Sequence, residues 1–301
     1  MKNPLFSVII PTFNRVNILS RAIDCVLNQS FEDFELIVVD NGSTDNTRKW
    51  VEENLKDNRI KYFYQQGSGS PASPRNKGLS LAKGKWICFL DSDDSWRLNK
   101  LEEISKVILS DKRFDVICHN ERFYYDDKSL LGKEIRYGPF SKNMYRDMLL
   151  FGNRLSTSAT SIKLEFLKKK NLKFDESQNL IAVEDYDLWL NLANNNALFK
   201  FIPKTLGFYH VGNQNLIADT TKFCDNLDVL LKKHIFQTQN FDSNYSKLWK
   251  LASIRSQICK ARYGHKNSLI KFISLLKIFL TSPITFSKIS TKFLLRKLTL
   301  R

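Results

Sequence analysis

Along the first 120 residues, short β-branched and apolar runs alternate with stretches whose apolar positions recur every three or four residues. The runs Ser7–Ile10, Phe34–Val39, Ile60–Tyr64, Trp86–Leu90 and Val116–Cys118 predict strands. Val8-Ile9-Ile10 and Leu36-Ile37-Val38-Val39 lack polar alternation, as strands covered on both faces do. Between the first two runs, Ile18, Leu19, Ala22, Ile23, Val26 and Leu27 fall at i, i+3, i+4, i+7 spacing, which predicts a helix with Asn17 as its cap. Asp45 stands where it would cap a second helix running through Asn54. Strands alternating with helices predict an α/β fold: a doubly wound, mostly parallel sheet with helices on both faces.

After about Asn120 the pattern loosens into aromatic and charged segments, with helices expected near Met144–Leu150, Lys163–Lys170 and Glu184–Asn194. No repeat or low-complexity linker interrupts it, so residues 1–240 read as one domain with halves 1–118 and 119–240. A content of 43% apolar and 12% aromatic residues excludes global disorder.

Charge changes the picture at the C-terminus. The formal net charge is +16, yet Asp242 is the last acid, and 13 Lys or Arg follow it with no Asp or Glu. Residues 241–301 therefore read as a basic helical extension on a nearly neutral body, and such an extension implies a polyanionic partner, nucleic acid or acidic lipid. Leu269–Leu280 is densely apolar with Lys271 and Lys277 inside it, and Lys288, Lys292, Arg296, Lys297 and Arg301 follow. Twelve residues are too short to span a bilayer, whereas a basic helix with an apolar side suits the headgroup boundary; the same run also fits a core helix with solvated lysines. Anionic lipid is the expected partner and nucleic acid is not. Five scattered cysteines without a C-x-x-C pair read as reduced core residues. The N-terminal residues show no long apolar signal core. A cytoplasmic, peripheral location at the inner face of the membrane is the expectation.

In open α/β sheets ligands bind beyond the carboxyl ends of the strands, so chemistry is sought there. Strand one leads into Pro11-Thr12-Phe13-Asn14-Arg15, strand two into Asp40-Asn41-Gly42-Ser43-Thr44-Asp45, the third into a Gly/Ser/Pro loop ending at Arg75-Asn76, and the fourth into Asp91-Ser92-Asp93-Asp94. Asp91 and Asp93, two residues apart at a strand end, can share a hard divalent cation that keeps waters and substrate phosphates in its shell. They also fit an acidic surface turn, although three acids crowded at a buried strand end repel one another without a cation. Asp40 could accept a nucleobase N–H or a ribose hydroxyl, or belong to an Asx-rich turn. Arg75 and Asn76 could donate to a diphosphate, or be solvated first-turn residues. Glu184 and Asp185 diverge by about 100° on their helix, so one at most faces a reacting centre. The helix dipole alone would also favour both.

The five segments 11–15, 38–45, 71–78, 89–94 and Val183-Glu184-Asp185-Tyr186-Asp187-Leu188-Trp189 occur in the order and spacing of family 2 glycosyltransferases of the GT-A fold, which the chain resembles over roughly residues 5–215. The resemblance implies an inverting enzyme that moves a hexose, glucose or galactose favoured, from a UDP-sugar to a lipid-linked saccharide such as GlcNAc-diphospho-undecaprenol in O-antigen or related surface-polysaccharide synthesis. It implies that Pro11, Thr12, Asn14 and Asp40 hold the nucleotide, that Asp91 faces the ribose, and that Asp93, with Asp91, binds Mn²⁺ or Mg²⁺. Asp185 would be the base, with Glu184 its alternative, and Trp189, at i+4, would border the acceptor. Two departures are visible. Asp40-Asn41 stands where many relatives have two acids, and His210 lies in Tyr209-His210-Val211 rather than Arg-x-His, so it reads as a satisfied histidine rather than a metal ligand.

Three rivals carry weaker patterns. A sugar-nucleotide pyrophosphorylase needs a Gly-rich phosphate loop after strand one, which 11–15 does not offer. A dinucleotide oxidoreductase needs a third glycine that Gly67-x-Gly69 lacks. A nucleic-acid-binding protein would use the tail alone.

Overall fold

The computed structural model describes residues 3–54, 56–211, 220–238, 245–263 and 268–281, together with 283 and 287. The expected strands are present: β1 (Phe6–Thr12), β2 (Phe34–Asp40), β3 (Ile60–Tyr64) and β4 (Trp86–Phe89) are parallel in the order β3-β2-β1-β4. Five further strands, β5 (Ser95–Trp96), β6 (Val116–Tyr125), β7 (Leu130–Ile135), β8 (Thr160–Lys163) and β9 (Phe199–Val211), continue the sheet to β3-β2-β1-β4-β8-β6-β9-β5, with β7 also on β6. Here the pairing is mixed. Antiparallel β8 lies between β4 and β6, and β9 runs parallel to β6. The parallel ladders are thus concentrated in the first half, where βαβ units dictate them, and the aromatic second half adds the antiparallel ones.

Ten helices are described: α1 (Val16–Leu27), α2 (Thr47–Asn54), α3 (Ala72–Leu81), α4 (Lys100–Ser110), α5 (Met144–Phe151), α6 (Leu164–Lys170), α7 (Glu184–Asn194), α8 (Thr220–Lys232), α9 (Tyr245–Tyr263) and α10 (Ser268–Thr281). The pleat sends alternate strand residues to opposite faces. Ile9, Ile37, Val39, Ile87 and Phe89 enter one core with α5, α7, α8 and α9, while Val8, Ile10, Leu36, Val38, Cys88 and Leu90 enter a second with α1 and α4. That two-sided burial is why these strands read as continuous apolar runs.

Asn17 is not the cap of α1. The helix starts at Val16, whose N–H donates to Asp45 Oδ2 at 3.2 Å, while Asp45 Oδ1 accepts the Thr47 N–H at 3.0 Å. One carboxylate therefore caps α1 and α2 together. Burial works against its charge, but these hydrogen bonds hold the Asp45 carboxyl below its ordinary range. Pro203 falls where the β6–β9 register slips, between Ile202 and Thr205, as expected of a residue that cannot donate to the ladder.

The division at residue 241 also needs correction. α9 is not a separate appendage: Leu248 and the fully buried Ala252 belong to the larger core, and α9 packs on α5 and α8. α10 lies on the far side of α9, joined through Ile254, Ile258, Ala261 and Ile278. Its other side exposes Phe272, Ile273, Leu276 and Leu280. Among the described residues no helix is long and apolar enough to cross a membrane. Lys288, Lys292, Arg296, Lys297 and Arg301 lie outside the described residues.

Burying a carboxylate at the α9 contact should unfold the catalytic body, not merely loosen the tail. Ala252→Asp is expected to destabilise the whole chain by more than about 3 kcal/mol, read as a lower midpoint of a single thermal transition. An unchanged midpoint would show that α9 stands apart from the core.

Candidate active site

Parallel strands set the site's location. Thr12 ends β1, Asp40 ends β2, and Asp91-Ser92-Asp93-Asp94 follow β4, so the polar residues emerge together at the carboxyl edge of β2-β1-β4.

On the β1–β2 side, Pro11 and Thr12 are buried, and the Thr12 hydroxyl has no protein partner. Asp40 is fully buried and accepts the Ser43 N–H at 2.8 Å and the Tyr62 hydroxyl at 2.6 Å. Asn14, held at φ +51°, spends its amide oxygen on the Thr44 and Asp45 N–H groups and shapes the loop. Gly42 has φ +86°, and a Cβ there would collide with the Gly67 backbone, so glycine lets the loop after β2 close onto the Gly/Ser segment after β3.

The β4 end is organised by arginines. Arg75, inside α3, donates from Nη2 to Asp91 Oδ1 at 2.6 Å and from Nη1 to Glu184 Oε1 at 2.7 Å, with its plane 5.3 Å from the Phe174 ring centroid. Burial alone would lower its pKa, but Asp91 and Glu184 outweigh burial and raise it. The guanidinium is committed to two carboxylates rather than presented to a diphosphate. Asp93 Oδ2 pairs with Arg15 at 2.7 Å, and the Asp93 carbonyl accepts from Arg21 at 2.6 Å. Asp94 is buried; it accepts from the Ser158 hydroxyl at 2.6 Å and the His210 N–H at 3.1 Å. Burial, with Glu121, Asp93 and Asp91 close by, pushes its carboxyl well above the usual range.

On the third side, α7 begins at Glu184. Arg75 holds Glu184 through Oε1, whereas Asp185 makes no hydrogen bond to an arginine among the described residues. It accepts the Tyr186 N–H on Oδ1 at 2.6 Å and the Thr157 hydroxyl on Oδ2 at 3.3 Å. Burial and the neighbouring Glu184 raise it to about 7, against the pull of Arg75.

Two further residues also point elsewhere than expected. Asn76 faces away: its amide nitrogen donates to the Phe174 carbonyl and Glu176, and its oxygen accepts the Phe174 N–H, so it clamps the 174–176 segment. Trp189 shares a helix with Asp185 but is fully buried, edge-on to Phe174 at 6.5 Å. α7 is buried on most sides, with Leu188, Leu190 and Leu192 also enclosed, so the side of Trp189 is core, not an acceptor border.

His210 behaves as a satisfied histidine. Its ring nitrogens meet Ser95 Oγ at 2.9 Å and Asp126 Oδ1 at 2.8 Å, and burial lowers its pKa. Sequence reasoning missed Glu121, fully buried on β6, whose Oε2 accepts the Tyr137 hydroxyl at 2.6 Å and which burial raises to about 7. A lone acid among aromatics gave no signal.

Among the described residues no group of three or more His, Cys, Asp or Glu could hold a metal ion. What the β4 end offers is two carboxylates, each with one oxygen on an arginine. That donor set fits a cation delivered with a diphosphate, which brings its own oxygens and waters, and not an all-protein cage.

The family model for glycosyl transferase family 2 matches residues 7–168, which contain β1 through β8 and the acid turn. The chain is 32% identical over 196 residues to Escherichia coli WfgD, a UDP-Glc:alpha-D-GlcNAc-diphosphoundecaprenol beta-1,3-glucosyltransferase; the alignment takes in 65% of this chain and 72% of that one. Against uncharacterized glycosyltransferases of Rickettsia, at 31–32% identity, the chain spans only 28–35% of their length. In fold it is similar to S. aureus TarS 1–349 in complex with UDP-GlcNAc (TM-score 0.65, 18% identity, 94% of this chain and 83% of that one). It is also similar to the Pyrobaculum calidifontis mannosyltransferase PcManGT in complex with GDP-Man and Mn²⁺ (TM-score 0.59, 16% identity, 99% and 87%). With the family model covering more than half of the chain, and the acid turn after β4 inside it, the chain belongs to glycosyl transferase family 2.

Proposed function

We propose that this chain is an inverting glycosyltransferase that moves a hexose, glucose or galactose favoured, from a UDP-sugar to a lipid-linked saccharide such as GlcNAc-diphospho-undecaprenol during surface-polysaccharide synthesis. One observation carries the reading. Arg75 ties the acid turn after β4 to the start of α7, so Asp91 and the Asp185 carboxyl, raised to about 7, belong to one electrostatically connected cluster. WfgD, whose name gives this donor and acceptor class, supports the choice of substrates.

In this mechanism Pro11, Thr12 and Asp40 line the nucleoside side. Asp91 and Asp93 would hold Mn²⁺ or Mg²⁺ together with the donor's diphosphate, and a cation so held would supply charge neutralisation for the leaving group. Asp185 accepts the acceptor hydroxyl's proton at Oδ1 or Oδ2, on the face opposite the departing group, which yields inversion. A carboxyl near 7 is suited to this, being partly ionised at neutral pH and a stronger base than an ordinary aspartate. Arg75 keeps Glu184 occupied and so leaves one base in the hollow.

The exposed apolar side of α10, with Lys277 on the same helix, supports seating at an anionic membrane surface where a polyprenyl-linked acceptor resides. The rival reading of a nucleic-acid-binding tail suits that side less well, because phosphate backbones are bound by cations, not by Phe272 and Leu276.

UDP release with UDP-Glc, UDP-Gal, UDP-GlcNAc and UDP-GalNAc, Mn²⁺ and a GlcNAc-diphospho-lipid tests the proposal; no transfer from any donor refutes it. Asp185→Asn should lower kcat by about 10²–10⁴-fold while UDP still binds. In the wild type kcat/KM should fall as pH drops through about 7, because protonated Asp185 cannot accept a proton; a flat profile from pH 6 to 8 would reassign the base. Asp93→Ala should abolish metal-dependent turnover and the Mn²⁺-dependent part of UDP binding, and full retention of both removes the metal from the scheme. Phe272→Ser with Leu276→Ser should reduce sedimentation with anionic liposomes while leaving turnover of a soluble acceptor unchanged; undiminished sedimentation refutes the docking side.

A further inference from the structure

The motif residues approach the hollow from two sides, and one short turn outside all five motifs touches both. Thr157 and Ser158 precede β8 and are almost wholly enclosed, at 5% and 0% exposure. The Ser158 hydroxyl donates to Asp94 Oδ2 at 2.6 Å and accepts the Asp91 N–H at 3.1 Å, so it spans the first and last acids of the turn after β4. The Ser158 carbonyl accepts Trp96 Nε1 at 2.7 Å, and Trp96 is pinned by the buried Lys100 ammonium 3.6 Å from its ring centroid. One residue earlier, the Thr157 hydroxyl donates to Asp185 Oδ2 at 3.3 Å.

The turn itself is held still. Thr160 N–H donates to the Thr157 carbonyl at 3.2 Å and the Thr160 hydroxyl to the Ser156 carbonyl at 2.6 Å. Strand β8, which begins at Thr160, is paired on both edges, with β4 and with β6. Neighbouring side chains on such a segment leave the backbone in different directions, so two adjacent hydroxyls serve two different partners.

We propose that Thr157 and Ser158 are positioning residues of the transfer reaction: Thr157 fixes the Asp185 carboxylate toward the acceptor, and Ser158 fixes the Asp91–Asp94 turn toward the donor. The proposal rests on Asp185 being the base and the β4 acids being the donor side. Its physical content is a division of labour. The Asp185 carboxylate turns about a bond that the helix backbone does not fix, and the Thr157 hydroxyl, with the Tyr186 N–H, selects its rotamer. A small angular error at a proton acceptor costs rate and not donor affinity. Removing the Ser158 hydroxyl leaves the Asp91 N–H without its acceptor and Asp94 Oδ2 without its donor, His210 N–H still serving Oδ1, which loosens the turn before any acceptor arrives.

Adjacent substitutions should therefore give opposite kinetic signatures in the full chain. Thr157→Val is expected to lower kcat about 10–100-fold, with donor KM and the calorimetric Kd of Mn²⁺–UDP within about twofold of wild type. Thr157→Ser, which keeps the hydroxyl, should recover most of the rate. Ser158→Ala is expected to raise donor KM and the Mn²⁺–UDP Kd about tenfold, with a smaller change in kcat. Thermal midpoints and far-ultraviolet dichroism report any general loss of fold. Parallel losses in kcat and Mn²⁺–UDP affinity for both variants, or a Thr157→Ser enzyme no better than Thr157→Val, would overturn the division. Asp185→Asn separates the two levels of the argument. If it is inactive while Thr157→Val is fully active, the positioning role alone falls; if it is fully active, the base assignment falls and the route through Asp185 falls with it.

Discussion

The buried Arg75 guanidinium is the constraint on which the site depends. Taking Arg75 and Glu184 out of water, with the partly exposed Asp91 beside them, is costly, and it is tolerated where geometry and hydrogen bonding are good. Arg75 achieves this with two short contacts to carboxylates from distant parts of the chain, 16 and 109 residues away in sequence. Without it Asp91 and Glu184 would stand close together and unneutralised, and breaking a buried pair of this kind costs about 3–5 kcal/mol. The clamp does more than stabilise. It fuses the acid turn after β4 with the first turn of α7, so the parallel half of the sheet is tied to the helical half.

Around that clamp the acids sort by depth. Asp94 and Glu121, buried and close to other carboxyls, are pushed upward and lean toward their neutral forms. Asp91 and Asp93, nearer the surface, are paired with Arg75 and Arg15. Asp185 lies between these regimes, raised to about 7 by burial and Glu184 but restrained by Arg75. The hollow thus holds more acid than its arginines neutralise. That imbalance suits a site completed by a cation and a diphosphate arriving together.

The parallel half was legible because each strand is buried on both faces, which leaves an unbroken apolar run followed by polar residues at the ligand edge. Its boundaries moved by no more than two residues at either end of β1 and not at all for α7, whose limits are 184–194. The rest was obscured for identifiable reasons. β5 has two residues, too few for any period. β9 carries Pro203 and a register slip that break its alternation. Trp189 was misplaced because helical spacing gives the face of a residue but not whether that face is core, and α7 is enclosed on almost every side. Asn17 lost the cap to Asp45, 29 residues from Val16, a partnership no local pattern encodes. Asn76 and Arg75 are neighbours on α3, yet one turns toward 174–176 and the other toward Asp91; which way each points follows from tertiary packing alone.

The same packing decides what the basic C-terminal helices are. Composition made 241–301 look like a unit hung on a finished domain, but its first helix completes that domain. Arg255, on α9, is buried and donates from Nη1 to the Met148 carbonyl of α5 at 3.2 Å and to the Tyr186 hydroxyl of α7 at 2.9 Å. Tyr186 is the residue whose N–H holds Asp185 Oδ1. α10 reaches this assembly through Ile278 against Ile254 and Ile258. An unbroken series of packed and hydrogen-bonded groups therefore runs from the exposed apolar side of α10, through α9, to the residue beside Asp185. The helix that would meet a lipid surface is thus linked through α9 to the helix that carries the proposed base. In the proposed reading, the height of a lipid-carried saccharide above α7 would be set by these contacts, because Arg255 joins α9 directly to α7 at Tyr186.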